Sequence, residues 1–275
     1  MNDEIRLRRA IVRPPGASFA EGLTTASLGA PDYARALRQH ALYCEALERC
    51  GVKLTCLEAQ ERYPDSTFVE DTAVMIGTLS NVGATAPGTL AASAILTRPG
   101  AASRMGEIES IREVLSASAF EIHSIQEPGT LDGGDVCEVE DHFFIGISER
   151  TNEAGAEQLA DLLRSYGYTA SFVDIRELKG ILHLKSGLSY LGDNRLVAID
   201  ALHDRKEFRG YELVRVRTDE EYAANCVRVN EHLLVAAGYP WFARTLRDLG
   251  YKTIALEMTE FQKMDGGLSC LSLRF

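Results

Sequence analysis

Short apolar runs alternate with amphipathic stretches along the chain, and this alternation predicts a succession of strands and helices. Residues 6–16 predict a strand that ends in a Pro-Pro-Gly turn, and residues 135–148 predict a β-hairpin. Residues 152–167 predict an amphipathic helix that ends at a glycine. Another helix is predicted over residues 31–51, where apolar positions recur at a spacing of three or four: Ala34, Leu37, Ala41, Cys44 and Leu47.

The order strand–strand–helix–strand returns about every fifty residues. A supersecondary unit that repeats at this length favours a repeat or propeller-like α/β arrangement over one doubly wound sheet. A plain two-layer α/β domain is the alternative, and neither the periodicity nor the composition decides between the two.

The stretch MDGGLSCLSLRF, residues 264–275, alternates as a half-buried strand does. Leu271, Leu273 and Phe275 share one parity, and Cys270 has the other. A Gly-Gly pair comes just before this cysteine, and an aspartate comes before the pair. The alternative interpretation is a core cysteine, because free cysteine is among the most buried residue types.

Charged residues interrupt two apolar stretches that we predict to be strands. Asp65, Glu70 and Asp71 lie in PDSTFVEDTAVMIG, although strand interiors avoid acidic residues. Three acids beside one buried strand indicate a site that requires negative charge, such as a guanidinium or amine pocket. In ILHLKSGLSYLG, His183 and Lys185 are predicted to share one strand face.

Two arginines and an aspartate pair complete the candidate chemistry. Arg98 is predicted at a strand end and Arg150 just before a helix; both are ordinary positions for surface arginines, but together they can clamp a carboxylate. The stretch from Asp132 to Asp135 contains Gly-Gly, and taken alone it predicts a turn. A thiol, a histidine, several acids and two arginines suit thiol attack on a cationic, amino-acid-like substrate.

Composition narrows the range of partners and compartments. The 275 residues carry a formal charge of −11, which argues against a nucleic-acid partner because phosphate binding requires basic clusters. Six cysteines show neither Cys-x-x-Cys spacing nor a zinc-like cluster with histidine, so free thiols in a reducing cytoplasm are expected. The N-terminus lacks the apolar segment of a signal peptide, and nowhere do 18 apolar residues run together, so no membrane association is expected.

Taken in order, these stretches resemble the dimethylarginine dimethylaminohydrolases of the guanidino-modifying, or pentein, superfamily. The resemblance spans residues 64–270 and rests on these stretches: PDSTFVEDTAV, ILTRPGA, TLDGGDV, FFIGISERTN, GAEQLAD, LHLKS, AANC and DGGLSC. It implies a five-bladed α/β propeller of ββαβ units, with residues 1–275 as one catalytic domain.

The resemblance also implies a mechanism. Cys270 would attack the guanidinium carbon of a methylated arginine, and His183 would protonate the departing amine and then activate water. Asp132 would orient His183. The covalent intermediate would be an S-alkylthiouronium and the product citrulline, with no metal or organic cofactor.

Binding roles follow from the same resemblance. The partner would be a small guanidino substrate, and the sequence does not decide between a monomer and a homodimer. Asp71, Asp265 and Glu70 would face the guanidinium, Asp65 would hold the α-amine, and Arg98 and Arg150 the α-carboxylate. The loop that begins at Pro14, Pro15 and Gly16 would serve as the substrate lid.

Lys185 bears on substrate choice. Related deiminases of arginine or agmatine carry an aspartate at this position, so a lysine favours a methylated nitrogen that donates fewer hydrogen bonds. Three alternatives stay open. They are a related pentein enzyme acting on arginine, citrulline or another guanidino or ureido compound; a non-catalytic propeller module; and an unrelated cysteine hydrolase of peptides or amides.

Overall fold

Five three-stranded sheets form within the residues that this computed structural model describes, namely 6–77, 93–118 and 120–275. In chain order the strands are β1 (Arg9–Val12), β2 (Lys53–Cys56), β3 (Ala73–Ile76), β4 (Ser93–Leu96), β5 (Glu121–Ser124), β6 (Val136–Val139), β7 (His142–Ile147), β8 (Thr169–Asp174), β9 (Leu188–Gly192), β10 (Arg195–Ala198), β11 (Glu212–Arg215), β12 (Val227–Val229), β13 (His232–Ala236), β14 (Lys252–Leu256) and β15 (Leu273–Arg274). The α-helices are α1 (Tyr33–Arg49), α2 (Ile108–Ala117), α3 (Glu153–Ser165), α4 (Asp200–His203), α5 (Pro240–Asp248) and α6 (Thr259–Gln262).

Each sheet is built from the same unit. β6 and β7 pair antiparallel as the predicted hairpin, α3 follows, and β8 then pairs parallel to β7. The sheets of β3, β4 and β5, of β9, β10 and β11, and of β12, β13 and β14 repeat this order. In the fifth sheet β15 pairs antiparallel with β1, and β2 lies parallel to β1. The predicted strand–strand–helix–strand repeat is therefore confirmed, and the plain two-layer alternative is wrong.

The chain divides into two compact units. Unit 1 contains the described residues up to Val69 together with Gly187–Asp204 and Gly210–Phe275, and it holds three of the sheets. Unit 2 contains Glu70–Ser186 and Arg205–Arg209, with the sheets of β3–β5 and β6–β8. The assignment of residues 1–275 to one domain stays a prediction.

Each unit has its own apolar core. In unit 1 the rings of Phe19, Phe68 and Phe261 pack together with centroid separations of 5.5–6.3 Å. In unit 2, Phe143 of β7 packs edge-on against Tyr168, with ring centroids 5.1 Å apart. Within the described ranges, no helix combines the length and the apolar character that crossing a membrane requires.

Helix α1 forms where predicted, but it buries a different face. Asp32 caps its N-terminus by accepting a hydrogen bond from the Arg35 backbone N–H, at 2.8 Å. Of the five predicted apolar positions only Leu47 is fully buried, and Leu37 is exposed. The buried stripe includes polar residues such as Tyr43, whose hydroxyl lies 2.6 Å from Ser272 Oγ. Polar groups with distant partners are invisible to an apolar-spacing rule, and this explains the error.

Three predicted strands begin instead with a short 3-10 helix. Val69–Thr72 precedes β3, Leu184–Ser186 comes shortly before β9, and Ser269–Leu271 precedes β15. Glu70, Asp71 and Cys270 lie in these turns, and His183 comes directly before the second one. The predicted strand face shared by His183 and Lys185, and the predicted position of Cys270 within a strand, are therefore wrong. The candidate residues sit on tight turns ahead of the strands.

Candidate active site

In unit 2 the structure brings His183 and Asp132 together. The imidazole Nε2 lies 3.0 Å from Asp132 Oδ2, and both side chains are buried. Asp132 Oδ1 accepts a second hydrogen bond from the Gly100 N–H, at 2.9 Å, which fixes the orientation of the carboxylate. An oriented, buried histidine–carboxylate pair is the arrangement that general acid–base catalysis requires.

The charge on His183 is favoured by its surroundings. Burial lowers the pKa of the imidazole, but the negative charges of Asp71, Asp132 and Asp135 and the hydrogen bond to Asp132 outweigh it. The pKa of His183 is raised from 6.5 to about 9. The imidazolium is therefore the resting form at neutral pH, ready to donate a proton.

This shift predicts a pH dependence of stability. The folded-state pKa of His183 lies above the unfolded value, so its contribution is fully present below pH 6.5 and is lost as pH rises through about 9. We expect the gap in melting temperature between the native protein and His183→Gln to be largest below pH 6.5 and to shrink towards pH 9. Thermal unfolding between pH 5.5 and 9.5 measures it. A gap that widens with pH would contradict the assignment.

The glycine pair of the TLDGGDV stretch lies against this site. Gly133–Asp135 forms a 3-10 turn before β6, and a Cβ on Gly134 would come within 2.7 Å of His183 Nδ1 and 2.8 Å of Asp71 Oδ1. A Cβ on Gly133 would collide with the backbone carbonyl of Glu70. The glycines are needed because other groups approach closely, so the turn interpretation was incomplete.

Asp71 is held by Arg104, a residue that the sequence interpretation missed. Arg104 Nη1 lies 2.6 Å from Asp71 Oδ2, while Asp71 Oδ1 accepts from the Gly134 N–H at 2.8 Å. Arg104 also forms a bidentate pair with the buried Glu107. Burial raises the pKa of Asp71, but the charges of His183 and Arg104 lower it to about 2. In sequence, an arginine three residues before a glutamate looks like a surface pair.

Glu70 pairs with Lys185 inside the same unit. Lys185 Nζ lies 2.7 Å from Glu70 Oε1, and the two side chains are only 16% and 5% exposed. A positive charge therefore balances one of the acids predicted to face a guanidinium.

The segments that carry Arg98 and Arg150 pack against each other. Gly100 approaches the Arg150 backbone so closely that a Cβ would overlap it. Arg98 forms an ion pair with the exposed Glu127, with Nη2 2.6 Å from Oε1, and donates to the Gly129 carbonyl. Among the described residues, the Arg150 guanidinium has no hydrogen bond or ion pair. These two segments can present two cations to one carboxylate.

In unit 1 the thiol of Cys270 lies in the turn Ser269–Leu271 and is half-buried. The Gly267 N–H points at the sulfur, with N and Sγ 3.4 Å apart. Asn225 anchors the turn, because its Oδ1 accepts from the Ser269 N–H at 2.9 Å and its Nδ2 donates to Ser269 Oγ at 3.0 Å. A backbone donor aimed at a thiol favours the thiolate.

The turn before Cys270 does not owe its left-handed residue to the Gly-Gly pair. Asp265 itself takes the left-handed conformation, with φ of 55°, whereas the two glycines after it do not. Gly266 packs against the ring of Phe68, and a Cβ on Gly267 would lie 2.5 Å from Asn225 Oδ1. The glycines allow close packing, and the short polar side chain of aspartate tolerates the strained position.

Asp65 and Asp265, predicted to bind substrate, hold a loop of the protein. Both carboxylate oxygens of Asp65 accept from the Leu23 N–H, at 3.1 and 3.2 Å. Asp265 Oδ2 accepts from the backbone N–H and the hydroxyl of Thr25, at 2.5 and 3.0 Å.

The lid assignment to Pro14, Pro15 and Gly16 does not fit their burial. Pro15 and Gly16 are buried and Pro14 is half-buried, because Glu61 anchors the following 3-10 helix, Ala17–Glu21, through two backbone N–H groups. The exposed apolar side chain near the loop carboxylates is Leu23, at 41% exposure. The sequence predicted a lid at the prolines and gave no prediction for Leu23.

Three side chains of the His183 site are of types that can bind a metal ion. Asp71, Asp132 and His183 bring one ligand-type atom each within 4.8 Å of the others. The oxygens of Asp71 are engaged by Arg104 and the Gly134 N–H, and those of Asp132 by His183 and the Gly100 N–H. We interpret this cluster as a hydrogen-bonded network that controls the charge on the imidazole.

Comparisons with known proteins agree with this chemistry. Residues 115–232 match the family model described as arginine deiminase. The N(G),N(G)-dimethylarginine dimethylaminohydrolase of Pseudomonas aeruginosa is 42% identical to this chain over 269 residues, which cover 98% of this chain and 99% of that protein.

Two solved structures are also similar. A cysteine-to-serine variant of the Pseudomonas aeruginosa enzyme in complex with citrulline superposes with a TM-score of 0.89 at 41% identity, covering 98% of this chain and all of that one. A histidine-to-glycine variant of dimethylarginine dimethylaminohydrolase, as an adduct with S-methyl-L-thiocitrulline, gives 0.88 at 41% identity with the same coverage.

Proposed function

Because this chain belongs to the dimethylarginine dimethylaminohydrolase family, we propose that it hydrolyses N-omega-methylated arginine to citrulline and a methylamine. The protein has the pentein fold that the sequence predicts, with five strand–strand–helix–strand units. It is a hydrolase of C–N bonds. The observation that carries the proposal is the buried pair of His183 and Asp132, with the imidazole Nε2 and the carboxylate Oδ2 3.0 Å apart.

The first half-reaction begins with the thiolate of Cys270. It attacks the guanidinium carbon and forms a C–S bond, and the C–N bond to the methylated nitrogen then breaks. The departing amine takes a proton from the imidazolium of His183. The raised pKa of His183 supports this step, because the group is protonated at neutral pH before the substrate reacts.

The second half-reaction releases the thiol. The neutral His183 takes a proton from water, and the resulting hydroxide adds to the thiouronium carbon. The C–S bond then breaks, which regenerates the thiolate. The added hydroxyl loses its proton to solvent and becomes the carbonyl of a ureido group, so the product is citrulline. Asp132 keeps the imidazole oriented in both steps and stabilises its positive charge.

Binding roles are proposed for the acids and the arginines. Asp71 and Asp265 accept hydrogen bonds from the guanidinium; each oxygen of a carboxylate has a second lone pair, so existing protein contacts leave acceptor capacity. Glu70 lies beside them, paired with Lys185. Asp65 takes the α-amine.

We assign the α-carboxylate to Arg98 and Arg150, whose backbone segments are in contact. Leu23 is the proposed lid side chain, since it is exposed and its N–H is bound by Asp65. The reaction requires a reduced thiol, and none of the six cysteines, all within the described residues, forms a disulfide, so we propose a reducing, cytoplasmic setting.

Deimination of unmethylated arginine is the second candidate, favoured by the match to the arginine deiminase family model. The residue that argues against it is Lys185. Its ammonium neutralises Glu70 and provides no further acceptor for an unmethylated guanidinium nitrogen.

The two candidates make different products. We expect citrulline and dimethylamine in equal amounts from asymmetric dimethylarginine, with much slower release of ammonia from arginine. Parallel assays of citrulline, dimethylamine and ammonia at equal substrate concentrations measure this. Turnover of arginine alone would establish the deiminase. Turnover of neither would exclude both candidates and point to another guanidino or ureido compound or to a non-catalytic module.

A further inference from the structure

We propose that Asp135 is the positioning residue of this site, because one buried carboxylate fixes the segments that carry His183, Arg150 and Asp132. The kinetic consequences rest on the proposed function, whereas the structural consequences do not. Asp135 lies at the end of the turn Gly133–Asp135 and has no exposed surface. It takes no part in the chemical steps described above.

The first contact of Asp135 is to the histidine segment. Oδ1 accepts from the backbone N–H of Leu184, the residue directly after His183, at 2.9 Å. A Cβ on Gly146 would lie 2.7 Å from the same oxygen, so the β7 backbone presses against the carboxylate from the other side. The carboxylate is confined there, and with it the turn that presents the imidazole.

The second and third contacts are to the arginine segment. Oδ2 accepts from the hydroxyls of Ser148 and Thr151, at 2.6 and 2.7 Å. Ser148 Oγ in turn accepts from the backbone N–H groups of Arg150 and Thr151, at 2.9 and 3.1 Å. The turn that carries Arg150 is thus folded around one hydroxyl whose proton points at Asp135.

Thr151 extends the network back to the partner of the histidine. Its Oγ1 accepts from the Asp132 backbone N–H at 3.1 Å while it donates to Asp135. Asp135 is therefore one hydrogen bond away from the residue that follows His183, and two hydrogen bonds away from the backbone N–H groups of Arg150 and Asp132. The Asp135 carboxylate therefore connects the His183–Asp132 pair with the segment of Arg150, which is proposed to bind the substrate carboxylate.

An amide cannot replace this carboxylate. All three bonds to Asp135 are donated by its neighbours, so both of its oxygens act as acceptors. Asparagine would turn one oxygen into an NH2 donor. Ser148 Oγ already accepts two N–H groups, so both of its lone pairs are used and an amide NH2 facing it would be repelled. In the opposite orientation the NH2 would face the Leu184 N–H, which is also a donor.

Asp135 also contributes charge. The charged groups that face His183 within unit 2 are Asp71, Asp132 and Asp135, and Arg104 is paired with the first of these. Burial raises the pKa of Asp135 above its usual value, although the charge of His183 and the three hydrogen bonds oppose this effect. Removing this negative charge must lower the pKa of His183.

The test compares Asp135→Asn, Ser148→Ala and Glu220→Gln in the full chain. For Asp135→Asn we expect kcat/KM with dimethylarginine to fall about 100-fold, with a lower kcat and a higher KM, because the catalytic and the binding segment both move. The high-pH limb of the kcat profile should move to lower pH. Ser148→Ala should raise KM about tenfold and leave kcat and the pH profile unchanged.

Glu220→Gln is the matched control. Glu220 is a buried carboxylate of unit 1 that accepts from the Trp241 and Phe242 N–H groups at the start of α5. The Glu220→Gln substitution should lower the melting temperature without changing kcat, KM or the pH profile. If Asp135→Asn behaves as Glu220→Gln does, the role is structural only and the proposal is overturned.

One readout is independent of turnover. NMR titration of the His183 imidazole, assigned with His183→Gln, should give a pKa about one unit lower in Asp135→Asn than in the native protein. Asp135→Glu, which keeps the charge, should restore most of the shift. An unchanged imidazole pKa would overturn the proposal even in an active enzyme. A native protein inactive on dimethylarginine would overturn the proposed function and leave this titration as the test of Asp135.

Discussion

Cys270→Ser is expected to reduce citrulline formation by about four orders of magnitude or more, to the limit of the assay. A serine hydroxyl is not ionised at neutral pH, and the Gly267 N–H that favours a thiolate cannot by itself generate an alkoxide. Citrulline and dimethylamine release from dimethylarginine measures the loss. Cys270 packs against the apolar core of unit 1, and serine is close to cysteine in size, so the melting temperature should stay close to that of the native protein.

Cys56→Ser is the matched control for this variant. Cys56 is the exposed thiol at the end of β2, and it has no proposed role. Replacing Cys56 should leave kcat and KM unchanged, and alkylation of the Cys56 thiol should not inhibit the enzyme. Substantial turnover by Cys270→Ser would place the nucleophile elsewhere and remove the basis of the proposed mechanism.

His183→Gly is the second variant with a large expected effect. Loss of the general acid–base group should lower kcat by a factor of about 10² to 10⁴. The two half-reactions can be separated with S-methylthiocitrulline, whose thiolate leaving group needs no proton from the imidazole. We expect the variant to form the covalent adduct on Cys270 and to fail to hydrolyse it.

Mass spectrometry of the intact protein and of the Cys270 peptide measures the adduct. Added imidazole should restore part of its hydrolysis, because the deleted side chain leaves a buried space next to Asp132. His203→Ala, at the end of α4, is the control and should turn over normally. If His183→Gly forms no adduct, His183 is needed for attack by the Cys270 thiolate, and its assignment to hydrolysis of the thiouronium is not supported.

The elements with strong local patterns were predictable. Helix α3 has a capping side chain at Asn152, whose Oδ1 accepts from the Gly155 N–H, and it ends just before a glycine with positive φ at 167. The β6–β7 hairpin has clear alternation. Both signals lie within a few residues of the structure that they specify, so one sequence is enough to find them.

The turns ahead of the strands were not predictable in this way. A one-turn 3-10 helix followed by a short strand has the same pattern of apolar residues as one longer strand. Val69–Thr72 and Leu184–Ser186 were therefore predicted as parts of strands. What fixes them is distant. The Leu184 N–H donates a hydrogen bond to Asp135, and the Glu70 carbonyl packs against Gly133. Each partner lies about fifty residues or more away in the sequence, so a local pattern does not indicate it.

Two site residues were missed for a related reason. Arg104 and Asp135 are polar residues whose burial depends on partners far along the chain. Their local contexts, an Arg-x-x-Glu spacing and a Gly-Gly-Asp turn, are typical of surfaces and loops. The residues with proposed catalytic roles were chosen because a known family shares their motifs, whereas the residues that hold them in place are apparent only from the contacts in the structure.

The pairing of β15 with β1 gives the thiol a particular place in the order of folding. Ala10 pairs with Arg274 and Ile11 with Leu273, so two strands from opposite ends of the chain complete one sheet. Contacts this far apart in sequence form late, because a very long loop must close first. Cys270 is only three residues from β15. During refolding, activity should therefore recover later than the helical circular dichroism signal. The time at which activity returns reports when β15 pairs with β1.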